Sequence, residues 1–429
     1  SIDEGNPGIG GTFYAMLYLV HKLVNIKSDL FDKDIYLFAE SVANLSDNLN
    51  RVEVSDISSI VDGIRSYQID ILVVNNGGKE TLSNDFWAHI ALTDVSIVLW
   101  THCFATYREL NFYSKNPQIK KIVCVGREQL YTYLDHPAFA KSTYIYNLCD
   151  LNERKGEKFV ERDNIVVYIG SIVPIKGLHY LTDVWPKIKK KVPDAQLMII
   201  GGGNLYNRNA RLGKYGIAEH FYEKKILRKN LNNDGTIDSS VHFLGVLGNE
   251  KYDILRRAKV GVPNPMGKSE TFGYTAVEMQ ISGMLIATRK CPGYIDTVMP
   301  NAGILYDNVS DIASCVVRLL RNKDYISDGT IKQLESKFNS EVIISKWIEL
   351  FDCLNMTNTT KEGFPSFILF YSKLVYYNYL LRKRIPFLPS FLLYREFGEK
   401  ILYFISKISE PLNSIQKIWY YLNSHRIKS

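Results

Sequence analysis

Short apolar runs recur along this chain with helix-like stretches between them, and that alternation limits its fold more than any other feature. A strand buried on both faces reads as a continuous apolar run, and parallel neighbours need a helical crossover between them. In the first half the candidate strands are Asp34–Ala39, Ile69–Asn75, Val95–Thr101, Ile122–Gly126 and Tyr144–Tyr146. In the second half they are Asn164–Gly170, Gln196–Gly201, Val241–Leu244, Val260–Val262, Met284–Ala287 and Gly303–Tyr306. The pattern predicts an α/β protein with parallel sheets. Between the two sets lies Asp150–Asp163 (DLNERKGEKFVERD), charged and without apolar period, which reads as a domain boundary. Asn204–Ser240 reads as an irregular polar insertion in the second domain.

At 429 residues the chain exceeds one ordinary domain. Its 46% hydrophobic and 23% charged residues belong to a globular protein and exclude a disordered one. Six scattered cysteines show no CxxC pair and no His/Cys cluster, which points to a reducing compartment and no structural metal. The start, Ser1, lacks a basic segment followed by an apolar one, so no secretory signal is read. Net charge is +7, and residues 361–429 account for all of it; the first 360 residues are neutral. A glycine-rich stretch, Asn6–Thr12 (NPGIGGT), stands before the apolar helix Phe13–Val24 with only Ser1–Gly5 ahead of it. A nucleotide-binding glycine loop normally follows a first strand. The expectation is therefore that this strand is missing by N-terminal truncation.

Three short patterns carry chemistry. In Gly8-Ile9-Gly10-Gly11, glycines let a backbone approach phosphate, and the helix that follows offers free N–H groups at its positive end. Many such turns bind nothing, so both readings stand. Ile165–Gly177 (IVVYIGSIVPIKG) reads as a buried strand, a glycine, a loop, and Lys176-Gly177 opening a helix at Leu178. A lysine there stabilises a leaving diphosphate, or simply sits in solvent. Ser269–Met279 (SETFGYTAVEM) puts Glu270 in a loop and Glu278 about one turn inside a helix from Tyr274. Two carboxylates suit sugar hydroxyls and the amides between them suit phosphate; the plainer reading is an acid complementing a helix dipole.

These residues, with Gly201-Gly202-Gly203, Phe243-Leu244-Gly245, Pro263, Gly283 and Gly293-Tyr294-Ile295-Asp296, follow the order found in glycosyltransferase family 4, the group 1 transferases of GT-B fold. The chain resembles that family most over Ile165–Leu305. More weakly, Gly10-Gly11, Thr101-His102 and Asn147-x2-Asp150 resemble its glycine loop, its histidine and its N-G-x-D segment.

The resemblance implies two Rossmann-like domains facing across a cleft, an acceptor-side domain at 1–155 and a nucleotide-sugar-binding domain at 156–335. A crossing helix at 336–360 and a helical tail at 361–429 would follow. It implies His102, Glu270 and Lys176 as catalytic residues. The donor would be bound by Gly10, Gly11, Gly170, Lys176, Phe272, Gly273 and Glu278. Glu278 would hold the ribose and Glu270 the sugar, while the Phe272 and Gly273 amides and Lys176 cradle the diphosphate. His102 would sit by sugar and acceptor. The donor would be a UDP- or GDP-sugar, with no cofactor and no metal. Two departures are visible. Ser171 stands where the family has arginine, leaving Lys176 alone or helped by Arg127 or Lys268, and Leu148 replaces a glycine. The family is retaining, yet no carboxylate nucleophile is placed; the leaving phosphate would take the acceptor's proton.

Asn339–Asn355 reads as the amphipathic crossing helix. Phe364–Leu381 is aromatic and apolar around Lys373 and runs into Arg382-Lys383-Arg384; from Phe397 to Ile415 apolar residues recur at helical spacing among lysines. Basic aromatic helices suit an anionic membrane surface, or pack on the protein or a second copy. Because the first 360 residues hold both cores, the tail is expected to be dispensable for folding. Together these features predict a retaining hexosyltransferase that moves a sugar to a glycan or lipid-linked acceptor in bacterial surface polysaccharide synthesis, such as lipopolysaccharide or capsule. It would be cytoplasmic and peripheral at the inner face of the plasma membrane. The alternatives are another GT-B enzyme such as a nucleotide-sugar epimerase, or a basic-tailed nucleic-acid-binding protein. The tail's charge lies among aromatics rather than in a polar patch, so no nucleic-acid partner is expected.

Overall fold

The computed structural model describes residues 10–26, 31–43, 45, 48–76, 82–149, 151, 162–204, 210–267, 270–322, 326–354, 370–394 and 396–398. The chain divides into two compact units. One comprises Ser1–Phe104, Pro117–Leu130 and Ser142–Gly363; the other comprises Ala105–Asn116, Tyr131–Lys141 and Phe364–Ser429.

The first unit contains two parallel α/β lobes. In the N-terminal lobe, α1 (Gly11–Val24) precedes β1 (Tyr36–Ala39) and β2 (Asn50–Glu53), which pair in parallel. Then come α2 (Ile57–Ser66), β3 (Ile71–Asn75), α3 (Asn84–Ile90) and β4 (Ser96–Thr101). After α4 (Tyr107–Lys115), which belongs to the second unit, follow β5 (Ile119–Cys124), α5 (Arg127–Tyr131) and β6 (Ser142–Tyr144). Strands β3-β4-β5-β6 make one parallel sheet. A cavity of about 630 Å³ lies between the facing edges of β1 and β3, under Leu19 and Leu23 of α1. Strand β2 has no counterpart in the sequence reading. Its residues, NRVE, are exposed except for a half-buried Val52, so this outer strand offers no apolar run to detect.

The C-terminal lobe runs β7 (Asp163–Ile169), α6 (Leu178–Lys191), β8 (Gln196–Ile200), α7 (His220–Leu227), β9 (Val241–Gly245), α8 (Lys251–Arg257), β10 (Ala258–Gly261), α9 (Tyr274–Ile281), β11 (Leu285–Arg289), α10 (Pro292–Thr297), β12 (Gly303–Tyr306) and α11 (Ile312–Arg321). Its sheet order, β9-β8-β7-β10-β11-β12, is the doubly wound Rossmann arrangement, with β7 and β10 at the point where strand order reverses. Ligands bind outside the carboxyl ends of the strands at such a point. Helix α7 corrects the reading of Asn204–Ser240 as wholly irregular. Its buried positions are Tyr222, Glu223, Ile226 and Leu227, and the acid among them disguises the apolar stripe. Glu223 is accommodated because its carboxylate accepts from the Tyr215 and Ile217 amides at 3.1 and 2.9 Å.

Helices α12 (Asp328–Phe338) and α13 (Ser340–Leu354) follow. The second lies where the crossing helix was expected and packs on the N-terminal lobe. Trp347 meets Trp100 edge-on with ring centroids 4.8 Å apart, and Phe351 meets Phe31. The charged segment 150–163 lies outside the described residues, save Leu151, Arg162 and Asp163.

The second unit gathers α4, the turn Pro137–Lys141 and α14 (Phe370–Arg384). At its centre the buried Asp135 carboxylate accepts from Asn378 Nδ2 at 2.6 Å, from Ser390 Oγ at 2.8 Å and from the Phe391 amide. The Glu396 side chain accepts from the Tyr107 amide at 2.6 Å. Residues from the tail therefore contribute to the core of this unit, whereas the sequence reading set the tail apart from both cores. Of the amphipathic repeat from Phe397 to Ile415, residues 399–415 lie outside the described residues.

Candidate functional site

The C-terminal lobe builds its part of the site at the reversal point. Gly170 ends β7, and Pro263 and Asn264 follow β10. One helical turn, Pro174–Lys176, brings Lys176 to the start of α6, where its ammonium meets Glu270 Oε2 at 2.9 Å. Asn264 Nδ2 donates to the same oxygen at 3.3 Å. Both charged side chains are partly exposed, so the pair borders open space and is partly screened by it.

The loop that carries Glu270 is shaped by two glycines. Gly273 has φ +84°, and a Cβ there would stand 2.7 Å from the Tyr294 ring. A Cβ on Gly293 would meet Phe272 N at 2.7 Å and Glu270 O at 2.9 Å. The loop can thus press onto α10 and release α9 directly after Gly273. The first amides of α9 have no intrahelical acceptor, which suits them to phosphate. The Phe272 side chain is buried against Tyr146, Tyr274 and Phe338; what it offers outward is backbone. One turn along α9, Glu278 Oε1 accepts from Tyr252 Oη at 2.9 Å and pairs with Lys251 Nζ at 2.6 Å. Lys251 was not singled out from sequence. It opens α8 in an ordinary charged context, and only the fold places it beside Glu278.

The N-terminal lobe approaches from the other side. Gly10 and Gly11 start α1, and a Cβ on Gly11 would touch the Tyr274 ring at 3.6 Å. Gly8 and Ile9 lie outside the described residues, as does Lys268. His102 follows β4 and is 8% exposed, and its ring packs on Trp100. Its Nε2 has no hydrogen-bond partner among the described residues. Burial pushes its pKa down to about 3, so the imidazole is neutral at physiological pH. Its carbonyl accepts from Thr271 Oγ1 at 2.6 Å, which ties His102 to the loop beside Glu270.

A second group joins the lobes beneath this loop. Asp296 of α10 is fully buried; it accepts from the Glu128 amide at 2.8 Å and from Tyr146 Oη at 3.2 Å. Arg127 Nε lies 3.7 Å from Asp296, and Lys337 donates to the Asp296 carbonyl. Arg127, weighed above as a substitute phosphate cation, is thus engaged by Asp296 and by Glu128. Burial and the neighbouring Asp296 push Glu128 up to about 7. The sequence reading quoted Asp296 without a role and missed Glu128 and Lys337. Their partners are far apart in sequence, and no local spacing announces them.

The structure therefore brings Lys176, Glu270, Gly170, Phe272, Gly273, Gly11 and His102 into one region, with Glu278 one turn away in its own ion pair. Such an arrangement has the chemistry to take a diphosphate on a cation and helix amides and hydroxyls on carboxylates. Among the described residues no cluster of His, Cys, Asp or Glu has the geometry of a metal site.

Comparison with known proteins agrees. Residues 163–322 match the family model described as glycosyl transferases group 1. Trehalose synthase of Thermococcus litoralis is 26% identical over 199 residues, covering 44% of this chain and 44% of that protein. The chain thus spans under half the length of the curated relatives it matches. Among solved structures, a glycosyltransferase from Rickettsia africae superposes with TM-score 0.61 at 12% identity, covering 81% of this chain and 96% of that one. A point mutant of S. aureus TarM in complex with fondaparinux, α-GlcNAc-glycerol and UDP superposes with TM-score 0.53 at 17% identity, covering 69% and 59%. Residues 163–322 are thus similar to the group 1 glycosyltransferases, and the chain has the fold of the GT-B glycosyltransferases.

Proposed function

We propose that this protein transfers a hexosyl group from a UDP- or GDP-sugar to a glycan or lipid-linked acceptor, with retention of configuration. The observation that carries the reading is the Lys176–Glu270 pair, set beside the first turn of α9 at the point of strand reversal. Lys176 and the α9 amides meet the charge that develops on the departing diphosphate; a preorganised donor in comparable sites contributes about 3–4 kcal/mol. Glu270 orients the sugar hydroxyls and Glu278 the ribose. Neutral His102 contacts sugar or acceptor without adding charge, and the leaving phosphate accepts the acceptor's proton. In this reading the protein's own cations and amides answer the phosphate charge, with no cofactor called for.

If the acceptor belongs to bacterial surface polysaccharide synthesis and is lipid-linked, the protein works beside a membrane, in this reading at its cytoplasmic face, and features of the second unit are consistent with a peripheral position there. Leu374, Tyr377, Leu381, Phe387, Tyr394 and Phe397 are exposed, in a segment whose helix ends in Arg382-Lys383-Arg384. Among the described residues no helix is long and apolar enough to cross a membrane.

A thermal-shift screen with UDP-, GDP- and ADP-sugars tests the donor class, beginning with UDP-sugars because TarM was solved with UDP. A ligand at a hundred times its dissociation constant adds about 2.7 kcal/mol. NMR of the product then gives the anomeric configuration. No shift with any nucleotide sugar, or epimerisation of the donor without an acceptor, overturns the reading.

A further inference from the structure

Helix α10 faces two ways. At its start the Gly293 amide donates to the Glu270 carbonyl at 3.1 Å, and the missing side chain admits the backbone of Glu270 to Phe272. Three residues later Asp296 reaches into the N-terminal lobe, where its carboxylate takes the Glu128 amide and the Tyr146 hydroxyl, with Arg127 alongside. Gly126 makes the approach close. A Cβ there would lie 2.9 Å from both Asp296 Oδ2 and the Thr271 carbonyl. Thr271, the residue after Glu270, is itself bonded to the His102 carbonyl. The loop that holds Glu270 is therefore tied to the ends of two adjacent N-terminal-lobe strands. One tie goes to His102 after β4, the other to Gly126–Glu128 after β5.

We propose that Thr271 and Asp296 form a clasp that fixes the distance between the donor cradle and His102, and so act as positioning residues for the transfer step. This rests on the transferase reading above. Burying a carboxylate beside an arginine is a costly way to fill space, and apolar residues of similar volume often do as well or better. A buried carboxylate hydrogen-bonded to the facing lobe specifies the relative position of the two lobes by direction as well as distance. Reacting groups about 1 Å out of place lose about 100-fold in rate. A clasp of this kind therefore acts on turnover far more than on donor affinity.

The test uses Thr271→Val, which keeps shape and removes the hydroxyl, with Thr271→Ser as its conservative partner, and Asp296→Asn. Four readouts are taken on the full chain: melting temperature, the dissociation constant for UDP, kcat and KM for transfer, and the radius of gyration by small-angle scattering. For Thr271→Val we expect a near-native melting temperature, UDP affinity within about threefold, kcat down about 10- to 100-fold, and a larger share of donor lost to water. Thr271→Ser restores kcat. Asp296→Asn should enlarge the radius of gyration, a readout independent of any substrate. Unchanged kcat in Thr271→Val overturns the proposal, as does UDP affinity falling in step with kcat. If Asp296→Asn does not fold, Thr271→Val and its rescue decide alone. A wild-type protein that binds no nucleotide refutes the transferase reading instead, while the scattering result still judges the clasp.

Discussion

Glu128 supplies the strongest quantitative test of the interlobe cluster. Its side chain is 3% exposed, and burial together with the adjacent Asp296 carboxylate moves its pKa from 4.5 to about 7. Between those values the folded protein holds a proton that the unfolded chain has released. Stability therefore falls as pH rises from about 4.5 to 7 and is level beyond. At 1.36 kcal/mol per pH unit the full change is on the order of 3 kcal/mol. Glu128→Gln retains the shape of the protonated acid and has no proton to lose. Denaturant midpoints at pH 5, 6, 7 and 8 for both proteins isolate the effect, since all other titrating groups are common to the pair. The variant should stay close to wild type near pH 5, gain through pH 6 and 7, and level off by about pH 8. A constant offset across that range would show that Glu128 titrates alike in both states. A variant that loses ground as pH rises would show that Glu128 is ionised and held by Arg127, and the account of its burial would be wrong.

Lys176→Ala should lower kcat/KM by about two orders of magnitude, the scale for losing a charge-stabilising donor; activity within about threefold of wild type would shift the phosphate role to another cation. The His102 ring should show no titration by NMR between pH 5 and 8, because its pKa is pushed down to about 3 by burial; an inflection near 6.5 would place the ring in water. Deleting 364–429 should lower the melting temperature. It leaves Asp135 buried without Asn378, Ser390 and the Phe391 amide, and each unmade bond to a buried group costs about 1–3 kcal/mol. An unchanged melting curve would return the tail to the status of an appendage.

Much of this architecture was legible because parallel strands declare themselves. Every expected strand is present within a few residues, and α9 begins at Tyr274 as the pattern SETFGYTAVEM implied. The partnering of acids with cations was not legible. Glu270 meets Lys176 across 94 residues, and Asp296 meets Arg127 of the other lobe, pairings that only the fold creates. The second unit was missed for a related reason. Its parts come from three separated stretches, and Asp135, its organising residue, lies in a segment with no periodic signal. Local pattern reports which face an element buries; which distant charge it meets is decided by the fold.

The two acids of the SETFGYTAVEM segment show how such pairing bears on chemistry. Each is held by a lysine from a different element, Glu270 by Lys176 from the turn before α6 and Glu278 by Lys251 from α8. Neither lysine is a near neighbour in sequence, so rigid elements of the lobe set both carboxylates in place. On the proposed function, a diphosphate entering beside α9 would bring negative charge that competes with Glu270 for the Lys176 ammonium. As Lys176 turned to phosphate, Glu270 would regain acceptor capacity for a sugar hydroxyl, with Asn264 still bonded to it. The ion pair thus keeps both groups ordered, and donor binding exchanges one set of charge-assisted bonds for another instead of ordering loose side chains. On that reading the same exchange would let one lysine serve where Ser171 stands in place of a second cation, because the α9 amides, fixed by Gly273 and Gly293, would share the phosphate charge with it.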